Sequence, residues 1–172
     1  MELILRAATE ADIPAISRLA TDSFIAKFGH LYSAENLNAF LAESLSEPAI
    51  AAELANPSRI YRLAEADGQL VGYCKIGLTC GFPDHARGSN VMELKQLYTD
   101  PNATGMGIGG ALMDWAMGEF SARKADEVQI SVYAYNDGGH RFYRRYGFDK
   151  VADITFRVGD HIDPEFLFAQ LF

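Results

Sequence analysis

Very little in this chain speaks for a membrane, a metal or an oxidising compartment. No apolar run approaches the ~18 residues needed to span a bilayer, and Met1 to Arg6 shows none of the architecture of a signal peptide. Cysteine is scarce, with Cys74 and Cys80 alone. Six residues of extended chain hold them roughly 20 Å apart, too far for a disulfide, so both read as reduced thiols of a cytoplasmic protein. His30, His85, His140 and His161 are scattered without metal-ligand spacing. Positive charge is short as well. Lys and Arg number 15 against 23 Asp and Glu, a net charge of −8. That balance argues against a nucleic-acid partner and suits a cationic substrate.

What is present centres on one stretch. Val91–Thr99 reads as a strand stopped by Asp100-Pro101. A helix follows whose Ile108, Ala111, Leu112 and Trp115 share one face. Gly105, Gly107, Gly109 and Gly110 precede or open it. Glycine lets backbone approach a ligand closely, and the free N–H groups of a helix start bind phosphate. The stretch therefore reads as a site for a phosphorylated cofactor. No Lys-Ser or Lys-Thr follows the glycines, which removes the Walker loop. A dinucleotide fingerprint is matched by letter, with Glu127 downstream. However, it belongs directly after a domain's first strand, and here five residues separate Thr99 from Gly105. A glycine turn without a ligand is the remaining reading.

The 172 residues suit one domain, 1–172, without internal repeat or linker. Residues 3–8 read as a strand. Thr9 to Asp12 is a capping-box start for a helix to about residue 25 that buries Ile13, Ile16, Leu19 and Ala20. Phe24, Phe28 and Tyr32 follow as core aromatics or as walls of a substrate pocket. A second helix starts at Ser33, and Ser46-Glu47-Pro48 opens a third. Residues 60–64 and 70–78 are strands joined through Asp67-Gly68, and 79–90 is a loop with a mobile tip. After the glycine segment come a strand over 128–133, a helix over 137–146 capped by Asn136 and Gly147, and strands over 150–158 and 163–172. This order predicts a mixed α/β fold with a mostly antiparallel sheet of about seven strands flanked by helices.

Two motifs in order resemble the GCN5-related N-acetyltransferase (GNAT) superfamily. Leu97-Tyr98-Thr99-Asp100-Pro101 followed by Thr104-Gly105-Met106-Gly107-Ile108-Gly109 is similar to its acetyl-CoA segment. Asn136 to Phe148, with Phe142-Tyr143 and Gly147-Phe148, is similar to its next motif, 31 residues on from Gly105. The segment 22–53 and the Gly72-Tyr73-x-Lys75 strand look like PaiA-type polyamine N-acetyltransferases. The resemblance implies a sheet splayed between its fourth and fifth strands. It also implies acetyl-CoA as cofactor, with CoA as product, held by the backbone of Leu97, Tyr98 and Thr99, by Thr104, Gly105, Met106, Gly107, Ile108, Gly109 and Gly110, and by Asn136 and Tyr143. Thr104 replaces the usual Arg or Gln, so one contact to the pyrophosphate is missing.

Acetyl transfer to an amine needs a neutral amine, a stabilised oxyanion and a proton for the departing thiolate. An N–H near Leu97 or Tyr98 is the implied oxyanion donor. Glu93, on an apolar strand, is the general-base candidate through water, against simple pairing with Lys95. Tyr143 is the general-acid candidate, against a packed aromatic. The expected acceptor is a small-molecule amine, with a cationic polyamine such as spermidine or spermine implied by the PaiA likeness. Asp84, Glu43 and Glu47 are then candidates for its other charges. A protein N-terminus or lysine, and an acetyl-CoA-binding regulator with little turnover, stay open. So does monomer or homodimer. No nucleic acid or membrane partner is expected.

Overall fold

The computed structural model describes residues 2–103 and 105–172. A seven-stranded sheet runs β1-β2-β3-β4-β5-β7-β6. Strands β1 (Leu3–Ala7), β2 (Arg59–Ala66), β3 (Gln69–Gly77) and β4 (Val91–Thr99) pair antiparallel in that order. Strand β5 (Glu127–Tyr133) pairs parallel with β4. The last hairpin, β6 (Asp149–Val158) and β7 (His161–Leu171), adds antiparallel to β5 through β7. The chain's final strand thus lies inside the sheet and β6 forms its edge. Strand β7 supplies the fully buried Leu167 and Phe168, whereas β6 is mostly exposed and carries Asp149, Lys150 and Asp153. Charged side chains are what an open edge needs to discourage further pairing. The turn between β2 and β3 has positive φ at both Asp67 (51°) and Gly68 (76°). This is the mirror-image hairpin turn that Asp-Gly favours.

Helices cover both faces. Helices α4 (Ile108–Ala122) and α5 (Asp137–Arg145) pack on one face, where Leu112, Met113, Ala116 and Phe120 meet Cys74, Ile76, Leu94 and Phe168. Helices α1 (Ile13–Phe28), α2 (Ala34–Phe40) and α3 (Glu47–Ala55) cover the other, over Tyr61, Leu63, Tyr73 and Val158. The capping box at Thr9 and Asp12 starts a short 3-10 turn, from which α1 runs three residues beyond expectation to Phe28. Helix α2 is capped by Ser33 and passes into one π-helical turn, Leu41–Leu45. Ser46 caps α3 by accepting from the Ala49 N–H.

The loop between β3 and β4 is fastened rather than loose. The buried Glu127 carboxylate accepts from the Arg87 N–H (2.7 Å), the Gly88 N–H (3.1 Å) and Arg87 Nε (2.8 Å). Asp126 accepts from Ser89 and Asn90. Glu127, at fingerprint distance from the glycines, therefore holds this loop. Burial pushes it up, but the two N–H groups and the guanidinium outweigh that and hold it below the ordinary carboxylate value.

Candidate active site

The site begins where β4 and β5 part. Their parallel ladder runs from Val91↔Glu127 to Leu94↔Ile130 and stops there. Beyond it β4 stays paired with β3 as far as Thr99↔Gly72, and β5 stays paired with β7 as far as Tyr133↔Glu165. The sheet is thus splayed between its fourth and fifth strands. The inner edges of residues 97–99 and 131–133 face each other without ladder partners.

A bulge sets which side chains look into the gap. Gln96 pairs with Lys75 and Leu94 with Ile76, so Lys95 is an extra residue in β4. Leu94 and Leu97, three apart, consequently pack in the same core, and with Glu93, Lys95, Gln96 and Tyr98 they also border one cavity. A strand without the bulge would alternate strictly. The cavity measures about 680 Å³ and lies against α1 and α2. Phe24, Phe28, Tyr32 and Phe40 form an aromatic wall, with Phe24 stacked on Phe40 at 4.5 Å between centroids. Phe24 is thus both core and cavity wall.

The expected cofactor residues divide between the cavity and the start of α4. Leu97, Tyr98, Thr99, Asn136 and Tyr143 all line the cavity. The Asn136 side-chain oxygen accepts from the Gly139 N–H at 3.0 Å, capping α5, while its amide nitrogen has no partner among the described residues. Glycines 105, 107, 109 and 110, with Met106 and Ile108, are not part of the cavity wall. They form the turn into α4, where Gly105 and Gly107 hold φ of 75° and 69°. A Cβ at either would meet nothing within 4 Å. The positive φ favours glycine there, and the open space leaves room for a phosphate against the first N–H groups of the helix. Ile108 is buried and Met106 packs on the core, so these two anchor the turn. Thr104 lies outside the described residues.

Glu93 and Tyr143 both line the cavity, but in different states. The Glu93 Oε1 accepts from the Gly81 N–H at 2.6 Å and meets Lys95 Nζ at 3.3 Å. The Lys95 contact weighed above thus exists, together with a loop contact. The Tyr143 hydroxyl has no hydrogen-bond partner among the described residues, and burial pushes its proton affinity well above the ordinary phenol. Glu43 also lines the cavity, whereas Asp84 and Glu47 do not.

The charges around the cavity are unevenly compensated. At one end Glu53 pairs with Lys75 (3.0 Å) and Arg59 (3.1 Å). Burial raises Glu53, yet these cations more than offset it and hold the carboxyl below its usual value. Desolvation lowers Lys75 despite that partner. At the other end Asp163 and Glu165 project from β7 beside Ser131 and Tyr133. Tyr32 donates its hydroxyl proton to Asp163, His161 Nε2 lies 3.0 Å from the same carboxylate, and Ser131 Oγ donates to Glu165 at 3.2 Å. Burial, with the Asp163 charge adding to it against the Ser131 bond, lifts Glu165 to about 7. No motif marks Glu165. The available signal was the phase of β7, in which Asp163 and Glu165 share the face of the buried Leu167 and Ala169.

This geometry agrees with three comparisons. Over 157 residues the chain is 25% identical to the spermidine N(1)-acetyltransferase of Thermoplasma acidophilum, covering 89% of this chain and 91% of that protein. It is 23% identical over 163 residues to an uncharacterized N-acetyltransferase of Lactobacillus delbrueckii subsp. lactis, with 92% and 91% covered. The crystal structure of PaiA N-acetyltransferase from Thermoplasma acidophilum in complex with coenzyme A superimposes with a TM-score of 0.81, at 21% identity and full coverage of both chains. The family model described as acetyltransferase (GNAT) family matches residues 14–148. The chain belongs to the acetyltransferase (GNAT) family, enzymes that transfer the acetyl group of acetyl-CoA.

Proposed function

We propose that this protein acetylates the primary amine of a small cationic molecule, a polyamine such as spermidine or spermine, by direct attack while both substrates are bound. The observation that carries this reading is the splay. It opens a cavity in which the unpaired edge of residues 97–99 and the Tyr143 hydroxyl stand opposite an acidic arm, Asp163 and Glu165, that carries no Lys or Arg ion pair among the described residues. The aromatic wall suits a methylene chain, and Glu43, Asp163 and Glu165 suit ammonium groups.

Acetyl-CoA supplies the activated acetyl thioester. In this reading the turn at 105–110 holds its pyrophosphate on helix N–H groups, and residues 97–99 pair with its amides as a further strand would. An N–H at Leu97 or Tyr98 bears the developing negative charge, a contribution of the order of 10²–10³ in rate for one donor. Tyr143 donates its hydroxyl hydrogen bond to the departing sulfur. Glu93, already bound by Gly81 and Lys95, keeps that end of the cavity in shape. Water-mediated base action by Glu93 would use its Oε2.

The test is free-thiol release from acetyl-CoA over polyamines, monoamines, amino acids and N-terminal peptides. Turnover concentrated on polyamines is expected. Turnover confined to peptides would move the acceptor to a protein, and tight acetyl-CoA binding without thiol release would make the chain a binding protein.

A further inference from the structure

Amine acetylation needs a base with affinity for a proton near neutral pH, and five carboxylates line the cavity: Glu43, Glu53, Glu93, Asp163 and Glu165. Glu93 is already engaged: its Oε1 accepts from the Gly81 N–H at 2.6 Å and meets Lys95 Nζ at 3.3 Å. Glu165 has neither contact. It is 8% exposed, and its one hydrogen bond comes from the neutral Ser131 hydroxyl. Among the described residues no Lys or Arg is within ion-pair distance of it. The groups around it come from each neighbouring element: Tyr98 of β4, Ser131 and Tyr133 of β5, and Asp163 of β7, with Tyr32 and His161 behind Asp163. Its partner on β6 is the apolar Ile154. Glu165 also stands across the splay from Tyr98, near enough for its charge to raise that phenol, and Tyr98 in turn acts on Tyr143.

We propose that Glu165 takes the proton from the acceptor's ammonium, and that Asp163, on the same buried face of β7 and fixed by Tyr32 and His161, is a positioning residue for it. The step balances simply. One N–H bond of the ammonium breaks, its electron pair stays on nitrogen, and the proton passes to a Glu165 oxygen and later to solvent. What remains is a neutral amine beside the residue 97–99 edge. The elevated proton affinity, near 7, matches a base that must be ionised in the cell yet able to accept.

This inference rests on the small-amine reading, and its test separates the two. The pH dependence of kcat/KM for the best amine is measured by thiol release. The wild type should show an acidic limb with a midpoint near 7. Glu165→Gln should lose that limb and fall at least ~100-fold at alkaline pH, with acetyl-CoA affinity retained. Asp163→Asn should move the limb to lower pH, and Glu93→Gln should leave the limb where it is. A limb unchanged in Glu165→Gln, or abolished by Glu93→Gln, overturns the proposal. So does a rate that keeps rising toward the amine's own pKa of about 10.4, since the enzyme would then collect neutral amine from solution. If no amine in the panel reacts, the acceptor reading fails by itself. Carboxyl NMR titration then decides on Glu165, using the resonance missing in Glu165→Gln: a midpoint near 7 supports the proposal and one near the ordinary 4.5 overturns it.

Discussion

A buried carboxylate with raised proton affinity should weaken the fold, and Glu165→Gln measures by how much. The side chain titrates at 4.5 in its ordinary state and at about 7 in the folded protein. At low pH both states hold the proton, and the site contributes no penalty. As pH rises from 4.5, the unfolded chain releases the proton first. Stability is then lost at about 1.4 kcal/mol per pH unit until the folded group ionises too. Above about pH 7 the loss levels off at about 3 kcal/mol. Glutamine has nearly the same shape, can still accept from Ser131, and does not titrate.

The stability of Glu165→Gln minus that of the wild type should therefore be close to zero at about pH 4 and reach about 3 kcal/mol in favour of the variant at about pH 8.5. Urea unfolding at several pH values reads this difference directly, and the other titrating groups largely cancel in it. In a thermal scan the gain corresponds to roughly 6–12 °C for a chain of this size. A difference that does not vary with pH, or one that favours the wild type at alkaline pH, would refute the reasoning. The Glu165 carboxylate would then be compensated by something other than its visible neighbours. A variant both more stable and nearly inactive is the outcome expected if Glu165 is the base proposed above.

Tyr143→Phe should lower kcat by roughly 10²-fold with little change in either KM, because the hydroxyl has no hydrogen-bond partner among the described residues; steady-state kinetics checks this, and full kcat would remove the acid role. Gly107→Ala should cost about 1 kcal/mol from its left-handed φ alone. The new methyl touches no protein atom but points into the space beside the helix start, so KM for acetyl-CoA should rise while the amine KM stays put. Glu127→Gln should cost roughly 2 kcal/mol, since one buried carboxylate serves two N–H groups and a guanidinium; hydrogen exchange should show faster opening confined to residues 79–90.

Local devices were readable from the chain because their causes are local. Asp100-Pro101 ends β4 at Thr99, Ser33, Ser46 and Asn136 cap the helices they precede, and Asp67-Gly68 makes the hairpin turn. The glycine segment was legible as a helix start for the same reason. Features that depend on distant pairing were not. Nothing near Lys95 announces a bulge, which comes from fitting Gln96 to Lys75 and Leu94 to Ile76 on another strand. The engagement of Glu93 by Gly81 depends on how the loop between β3 and β4 returns. The order of the last hairpin was equally hidden, because either strand can satisfy a hairpin. Burial decides in favour of β7, whose Phe166, Leu167, Phe168 and Ala169 complete the core.

The same long-range pairing that hid these residues also makes the site. Each strand of the splayed pair keeps its own antiparallel partner to the end, β4 with β3 and β5 with β7, so neither can bend back to close the gap. Unpaired backbone edges are a liability in a sheet, and a fold retains them where a ligand can cover them. The bulge turns Tyr98 into the cavity on one arm, and β7 carries Glu165 to the end of β5 on the other. In the reading proposed above, a base and an oxyanion donor stand on opposite arms of the splay with the amine between them. Closing the gap would pair the backbone and remove the cavity.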